Sequence, residues 1–423
     1  MKKRNIHKEQ WPMKHLSTAV GAALILFISP VYARTYYAIP GRGRPSNPGT
    51  ASRPWGTLEE ASSRGRLSRL RGGDRVLLAS GYHGHVKLEG SHKAMVVIEP
   101  VQGHRPTLGR LTITQGSNWN IKGLTVSPSC GGKPYKGNIV TFAEGGHSHN
   151  IVIQDCFIYT SEDTSKWASK EWMHANSGIF MGRHGKNLTL RNNYVLNTRF
   201  GIALCAYDSM CEGNVVSDFS ADGIRVMRNG ITVQYNVIKN IYVGSGEGDN
   251  NHDDAIQCFL FNKGTGTVRN VTVRYNLILN QENDNQPFAA TLQAIGFFDG
   301  PLINFHVEGN VIAVKHWHGV SLYDAQNCTI KNNVVFNPWG GRFTPWVMLG
   351  SKQNKANGNR VTGNYAHTFR FKADREVERS GNKNVTKKIF RTARKQVLEE
   401  IIRKFKYHHP VAGYGRLGKE KKK

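Results

Sequence analysis

The chain has 423 residues, with 57 Lys and Arg against 30 Asp and Glu and a net charge of +27. Such an excess suits a polyanionic partner, whether uronic-acid polymer, sulfated glycan, surface polysaccharide or nucleic acid, without choosing among them. The six cysteines include no Cys-x-x-Cys pair and no Cys/His spacing of the zinc type, which removes a zinc-built fold from consideration.

Residues 1–33 combine a basic start (Lys2, Lys3, Arg4, Lys8, Lys14), an apolar run over residues 16–28 and the small-x-small ending Val31-Tyr32-Ala33. That is the layout of a secretory leader cleaved after Ala33, and the run is shorter than a membrane span requires. The mature protein is therefore expected in the periplasm or the medium, as a monomer with no transmembrane anchor. Cys130, Cys156, Cys205, Cys211, Cys258 and Cys328 would meet an oxidising compartment there. A Cys205–Cys211 bridge is the locally plausible pairing, although several of the six sit where a free thiol simply packs.

Residues 50–88 contain Pro54-Trp55-Gly56-Thr57-Leu58-Glu59-Glu60-Ala61 and then Gly72-Gly73-Asp74-Arg75-Val76. Thr57 is placed to cap a short helix whose apolar face, Leu58 and Ala61, would plug the open end of a stack of strands. The pattern resembles the entry module of many secreted β-helix enzymes.

From residue 111 to 364 the chain repeats. An Asn followed by aliphatic residues recurs at Asn193, Asn214, Asn236, Asn276, Asn310, Asn333 and Asn364, with the tightest spacings about 21 to 23 residues, one coil of a solenoid. In phase with it a small residue precedes an aliphatic one, as in Asp222-Gly223-Ile224-Arg225, Asp254-Ala255-Ile256-Gln257 and His318-Gly319-Val320-Ser321. Inward aliphatics of successive coils would stack into one core, and the asparagines would bond to their copies above and below. A hairpin sandwich accounts for the alternation but not for the fixed phase. Over residues 34–370 the chain resembles the right-handed parallel β-helix of the pectin-lyase-like superfamily. The expected fold is thus all-β, a right-handed parallel β-helix with an N-terminal capping helix.

The coils lengthen at one phase, at residues 161–176, 242–251 and 281–291, and insertions at one phase land on one face, usually the binding face. They should wall a groove floored by the column Ser177, Phe200, Asp222, Asp254, Gln293 and His318, with Arg225 beside Gln257. Two neighbouring carboxylates do not both ionise cheaply, so Asp222 and Asp254 suggest a general acid or a shared cation, with Asp253 next to them. His252 exchanges protons near neutral pH. Arg225 could neutralise a substrate carboxylate or a developing enolate, with Lys263 at the rim. Gln257, Trp317, His318 and Tyr323 are the candidate sugar contacts. The plainer alternatives are that the aspartates cap turns, that Arg225 only pairs with them, and that His316 and His318 belong to an exposed loop.

The resemblance implies a carbohydrate-active enzyme on an acidic polysaccharide, by one of three reactions. β-Elimination needs a base, a charge neutraliser and often Ca²⁺, for which Glu247, Asp249, Asp253, Asp254 and Asp284 are candidate ligands. C5 epimerisation shares the first proton abstraction; Asn250-Asn251-His252-Asp253 keeps the His-Asp of the alginate epimerase motif and lacks its Asp-Pro. Hydrolysis has partial counterparts of polygalacturonase strands in Ser220-Ala221-Asp222-Gly223, Asp253-Asp254 and Trp317-His318-Gly319, but no Arg-Ile-Lys strand. Inverting hydrolases separate their carboxyls by roughly 6.5 to 9.5 Å, wider than adjacent coils allow. Elimination therefore ranks first, and a non-catalytic glycan-binding β-helix is the alternative class.

Beyond residue 370, Ile389, Phe390, Ala393, Val397, Ile401 and Phe405 recur at helical spacing opposite Arg391, Arg394, Lys395, Arg403 and Lys404. Residues 371–423 form a basic extension carrying an amphipathic helix, which either covers the C-terminal end of the solenoid or binds an anionic surface. Of the net charge, residues 1–33 hold +4, residues 371–423 hold +11 and the body the remaining +12. An acidic polysaccharide, not nucleic acid, is the expected partner.

Overall fold

The computed structural model describes residues 33–242, 252–260, 266–288, 290–353, 355–371 and 376–405. The proposed leader, apart from its last residue, lies outside these residues, and none of the described helices is long and apolar enough to cross a membrane. What they form is a right-handed parallel β-helix, with every strand pair parallel and the strands distributed over sheets of 23 and 12 members. One coil shows the scheme: Ile224–Val226, then Thr232–Gln234, then Val237–Ile241. The first two belong to the larger sheet and the third to the smaller one.

Register is set by the aliphatic stack. Ile202, Ile224, Ile256, Ile295, Val320 and Val347 pair in succession, all buried. A slip of one residue in any strand would turn its core set outward. Between the second and third strands stands the asparagine column. Each Nδ2 donates to the Oδ1 of the next coil, Asn193 to Asn214 at 2.9 Å, Asn236 to Asn276 at 3.0 Å and Asn310 to Asn333 at 2.9 Å. The same Oδ1 atoms accept a backbone N–H, so every asparagine satisfies buried polar groups above and below it. The column runs on to Asn382, and the pairing of Arg360–Thr362 with Glu378–Ser380 adds a coil beyond residue 370.

At the N-terminal end, helix α1 (Leu58–Ser63) forms where the sequence placed it. Thr57 accepts from the Glu60 N–H at 3.1 Å, Glu60 accepts from the Thr57 N–H at 2.7 Å, and Leu58 and Ala61 are buried. The inserted segments lie between the third strand of one coil and the first of the next. The segment over residues 161–176 carries helix α2 (Ser169–Met173), whose Trp172 is buried and stacks on Tyr242 at 4.3 Å.

Two expectations change. All six cysteines are free: Cys205 lies against Met227 Sδ at 3.4 Å and Cys211 beside Asn214 and Asn236, each thiol packed in the interior. Helix α3 (Lys387–Lys404) does not cover the end of the solenoid but runs along its flank. Phe390, Val397, Leu398, Ile401 and Phe405 bury against Val215, Val237, Leu277, Val311 and Val334 of the smaller sheet. The dimensions match, since 18 residues span about 27 Å and the rungs from Val215 to Tyr365 rise about 24 Å. The helix ends where Phe405 covers Gly213, whose φ is +63° and at which a Cβ would meet the ring at 2.3 Å.

Candidate active site

The face expected to floor a groove is the succession of first strands Ile224–Val226, Asp254–Cys258, Gln293–Phe297, His318–Tyr323, Trp346–Gly350 and Thr368–Arg370; residues 243–251 of the insertions expected to wall it lie outside the described residues. The position before the aliphatic stack is small (Gly223, Ala255, Ala294, Gly319) because the neighbouring backbone passes close by: a Cβ on Gly223 would lie 2.7 Å from the Ala255 carbonyl oxygen. The residue one place earlier is thereby carried to the edge of the strand, which is how Asp222, Asp254, Gln293 and His318 come to stand in line.

Within this line the polar groups pair from coil to coil. Asp222 Oδ1 accepts the Asp254 N–H at 3.1 Å, and its Oδ2 accepts from Arg225 Nε at 2.5 Å. The Arg225 guanidinium lies over Phe200 at 3.7 Å and Phe259 at 5.6 Å. Gln257 Nε2 donates to Asp254 Oδ2 at 3.2 Å. Asp254 Oδ1 has no hydrogen-bond partner among the described residues, and the residue is fully buried. Burial foremost, then the nearby Asp222 and Asp253, hold the Asp254 carboxyl well above the usual carboxylate range against the opposing pull of Arg225. Two neighbouring aspartates thus divide their roles: Asp222 is the counter-ion of Arg225, and Asp254 is the carboxyl whose ionisation its surroundings oppose. Both carboxyls lie beneath the floor, so the groups that reach the groove from these rungs are Arg225, with 21% of its side chain exposed, and Gln257.

One step further along, the floor changes from acidic to imidazole and aromatic. His318 Nδ1 meets Gln293 Oε1 at 2.6 Å, so Nδ1 carries the proton and donates it, which leaves Nε2 as a basic lone pair. His316 Nδ1 accepts the His318 N–H at 3.1 Å, fixing the opposite tautomer. Burial lowers both imidazoles to about 4, helped by His252 for His316 and by His316 and His252 for His318, so both are neutral at physiological pH. Phe298 is the hub of this part. Its ring lies 4.8 Å from His318, 5.5 Å from Tyr323 and 6.4 Å from His252, and Trp346 lies 5.2 Å from His318 on the far side. Burial raises the Tyr323 phenol, which stays a proton donor. Trp317 is 42% exposed and the Arg370 guanidinium lies 4.0 Å over Trp346, closing the line with a second cation.

Among the residues expected at the site, the structure gathers Asp222, Arg225, Asp254 and Gln257 in one group and His252, His318 and Tyr323 in another, with Trp317 beside the second. Asp253 is half-buried next to Asp254. Lys263, Glu247 and Asp249 lie outside the described residues. Asp284 does not join the other carboxylates: it accepts from Trp339 Nε1 at 2.9 Å and lines a hollow under α3. No three His, Cys, Asp or Glu side chains come together as metal ligands among the described residues, and Asp222 is already balanced by Arg225. Of the candidate calcium ligands, Asp253, Asp254 and Asp284 do not come together among the described residues, and no step below passes through a metal ion. Gln293, Phe298 and His316 stand out in the sequence only as a column residue, an aromatic near the groove and a neighbour of Trp317. Gln293 was visible as the column residue between Asp254 and His318, whereas Phe298 and His316 are drawn in by packing across coils.

No protein-family model matches the chain, and no curated protein matches it. Among solved structures it is similar to an alginate lyase from Paenibacillus sp. str. FPU-7, at 15% identity and a TM-score of 0.48, covering 83% of this chain and 99% of that one. It is also similar to the Azotobacter vinelandii mannuronan C-5 epimerase AlgE6 A-module, at 15% identity and a TM-score of 0.46 over 78% and 94% of the two chains. A third is the GH136 lacto-N-biosidase from Eubacterium ramulus, at 14% identity and a TM-score of 0.46 over 83% and 68%. No residue role is carried over from any of them.

Proposed function

We propose that the protein is a secreted carbohydrate-active enzyme that holds an acidic polysaccharide along this floor and breaks it by β-elimination. The observation that carries the reading is the neutral His318 imidazole, its Nδ1–H fixed on Gln293 and its Nε2 free as a base, in a floor bounded by Arg225 and Arg370. The reaction removes the proton α to a uronate carboxylate and expels the glycosidic oxygen from the adjacent carbon. His318 Nε2 is the base of this reading, and the arriving carboxylate raises its proton affinity at the moment it is needed. Tyr323, whose ring also packs on Phe298 at 5.5 Å, is the donor to the leaving oxygen. Arg225 is three rungs, about 14 Å, from the Ser321 position and so anchors a uronate farther along the chain.

Hydrolysis is less well supported, because it needs two carboxyl groups open to the substrate. Asp222 and Asp254 are sealed beneath the floor and already engaged. C5 epimerisation begins with the same abstraction and differs only in returning the proton. The test is incubation of the mature protein with a panel of uronic-acid polymers, followed by mass spectrometry and ultraviolet absorbance. Elimination gives unsaturated, absorbing ends on products lighter by one water than hydrolytic ones, and His318→Ala abolishes them. Saturated products, or unsaturated products undiminished in His318→Ala, refute the assignment.

A further inference from the structure

The first half of α3 carries a charge arrangement that the fold does not explain. Lys387, Lys388, Arg391 and Arg394 occupy its opening turns, where the helix dipole disfavours cations, and no acidic residue stands in the first turn. The carboxylates of this helix lie near its other end, where Glu400 pairs with Arg403 and Lys404 and Glu399 with Lys395. Among the described residues none of the four cations has an ion-pair partner. Gathering them in one place carries a cost that an added anion would relieve.

A built cavity lies beside them. Lys387, Arg391 and Arg394 line a hollow of about 210 Å³ with Gln281, Glu282, Asp284 and Trp339. Lys315 Nζ sits 4.9 Å over the Trp339 ring and donates to Gln281 Oε1 at 2.7 Å. Glu282 is held by Lys239 at 2.5 Å, and Asp284 by the Trp339 indole N–H. An aromatic ring, an amide, fixed carboxylates and spare cations around one hollow suit a ring that bears both hydroxyls and an acidic group. The apolar face of α3 is buried against the solenoid and leaves only Ile402 of its large apolar side chains exposed, too little to insert into a lipid surface.

We infer that this hollow is a second binding site for an acidic glycan, reading a uronate through Arg391 and Arg394 and its ring through Trp339. The choice of ligand rests on the acidic-polysaccharide reading of the groove. Residues 315–318 connect the two, since Lys315 reaches the hollow and His318 the groove, about 10 Å of chain apart. A polymer can therefore occupy both sites at once, and the second contact, being intramolecular, strengthens the hold on long chains and not on short ones.

The experiment compares the full mature protein with the triple variant Lys387→Ala, Arg391→Ala, Arg394→Ala, in which alanine favours the helix. Retention is measured in gels containing alginate or polygalacturonate, and turnover on short oligosaccharides of the same polymers. The expected result is retention weakened by about tenfold or more with short-substrate turnover within about twofold of the parent. Lys395→Ala, on the same helix outside the hollow, should change neither. Retention unchanged in the triple variant, while the parent turns the polymer over, overturns the second site and leaves the groove reading intact. Retention lost in the triple variant, with no turnover by any form, upholds the site and sinks the elimination reading. An equal loss of binding to DNA or to anionic phospholipid vesicles overturns the glycan assignment.

Discussion

Gly296→Ala tests the floor with a single methyl group. The ideal Cβ at this position would lie 2.1 Å from Asp254 Oδ1 and 2.6 Å from the Phe298 ring, both far inside normal contact. To restore ordinary separation both must yield by about 1 Å. If the Asp254 carboxyl rotates, it leaves the Gln257 bond of 3.2 Å; if Phe298 swings, it carries with it the contacts that seat His318 and Tyr323. Overpacking of this kind costs about 1 to 3 kcal/mol of stability, and a misplacement of about 1 Å in a catalytic pair costs about a hundredfold in rate. The variant should therefore fold, melt a few degrees lower, and lose about two orders of magnitude in kcat/KM on its polymer while still being retained by it. Thermal unfolding by circular dichroism and initial rates of ultraviolet-absorbing product are sufficient assays. A folded variant within about twofold of parental kcat/KM would show that neither Asp254 nor Phe298 bears on the chemistry and would refute the reasoning.

Gln293→Ala should leave His318 in place but free its tautomer, lowering kcat more than it changes KM and altering the acid limb of the pH–rate profile; an unchanged profile would remove Gln293 as the positioning residue. Asn276→Ala deprives the buried Asn236 N–H of its acceptor at 2.9 Å and deletes two donations, to Val233 and Asn310, for a loss of about 2 to 4 kcal/mol in denaturant unfolding. Asn382→Ala, half-buried at the last coil, should cost clearly less, and equal losses would contradict the cooperative column. Stability should also fall with acid. His83 accepts the Leu58 N–H and donates to Ala79, and burial lowers it, as it lowers His316 and His318 to about 4. Because the folded state disfavours these protons, their contribution is complete above the unfolded value near 6.5 and is lost as pH falls from there toward about 4. A melting temperature flat across that interval would contradict the buried neutral imidazoles.

The coil was legible in the sequence because its signals are local and recur: the Asn phase, the small residue before each aliphatic, and Thr57-x-x-Glu60 at the entrance. The line of Asp222, Asp254, Gln293 and His318 follows from the same arithmetic. What the repeat could not convey is how side chains on different coils share protons and space. Whether Asp254 is an accessible acid or a sealed one depends on Phe298 and on the absent Cβ of Gly296, and both lie about 40 residues away in sequence. The position of α3 was also missed, although its mark was present. Val215-Val216, Val237-Ile238, Leu277-Ile278 and Val334-Val335 put aliphatics on both faces of the third strand, as a strand covered on both sides requires. Gly381-Asn382 announced the additional coil just as Gly213-Asn214 and Gly309-Asn310 announced theirs.

The flank helix has a bearing on assembly. Ribosomes deliver Val215, Val237, Leu277, Val311 and Val334 well before the segment that shields them, so a chain that ends ahead of α3 carries an uncovered aliphatic ridge about 19 Å long. Such ridges are self-complementary, and two unfinished molecules would find in each other the cover that the last turns of α3 otherwise provide. A stop codon placed ahead of residue 387 would thus produce clumping solenoids with their grooves still formed, a separation of solubility from catalysis within one polypeptide.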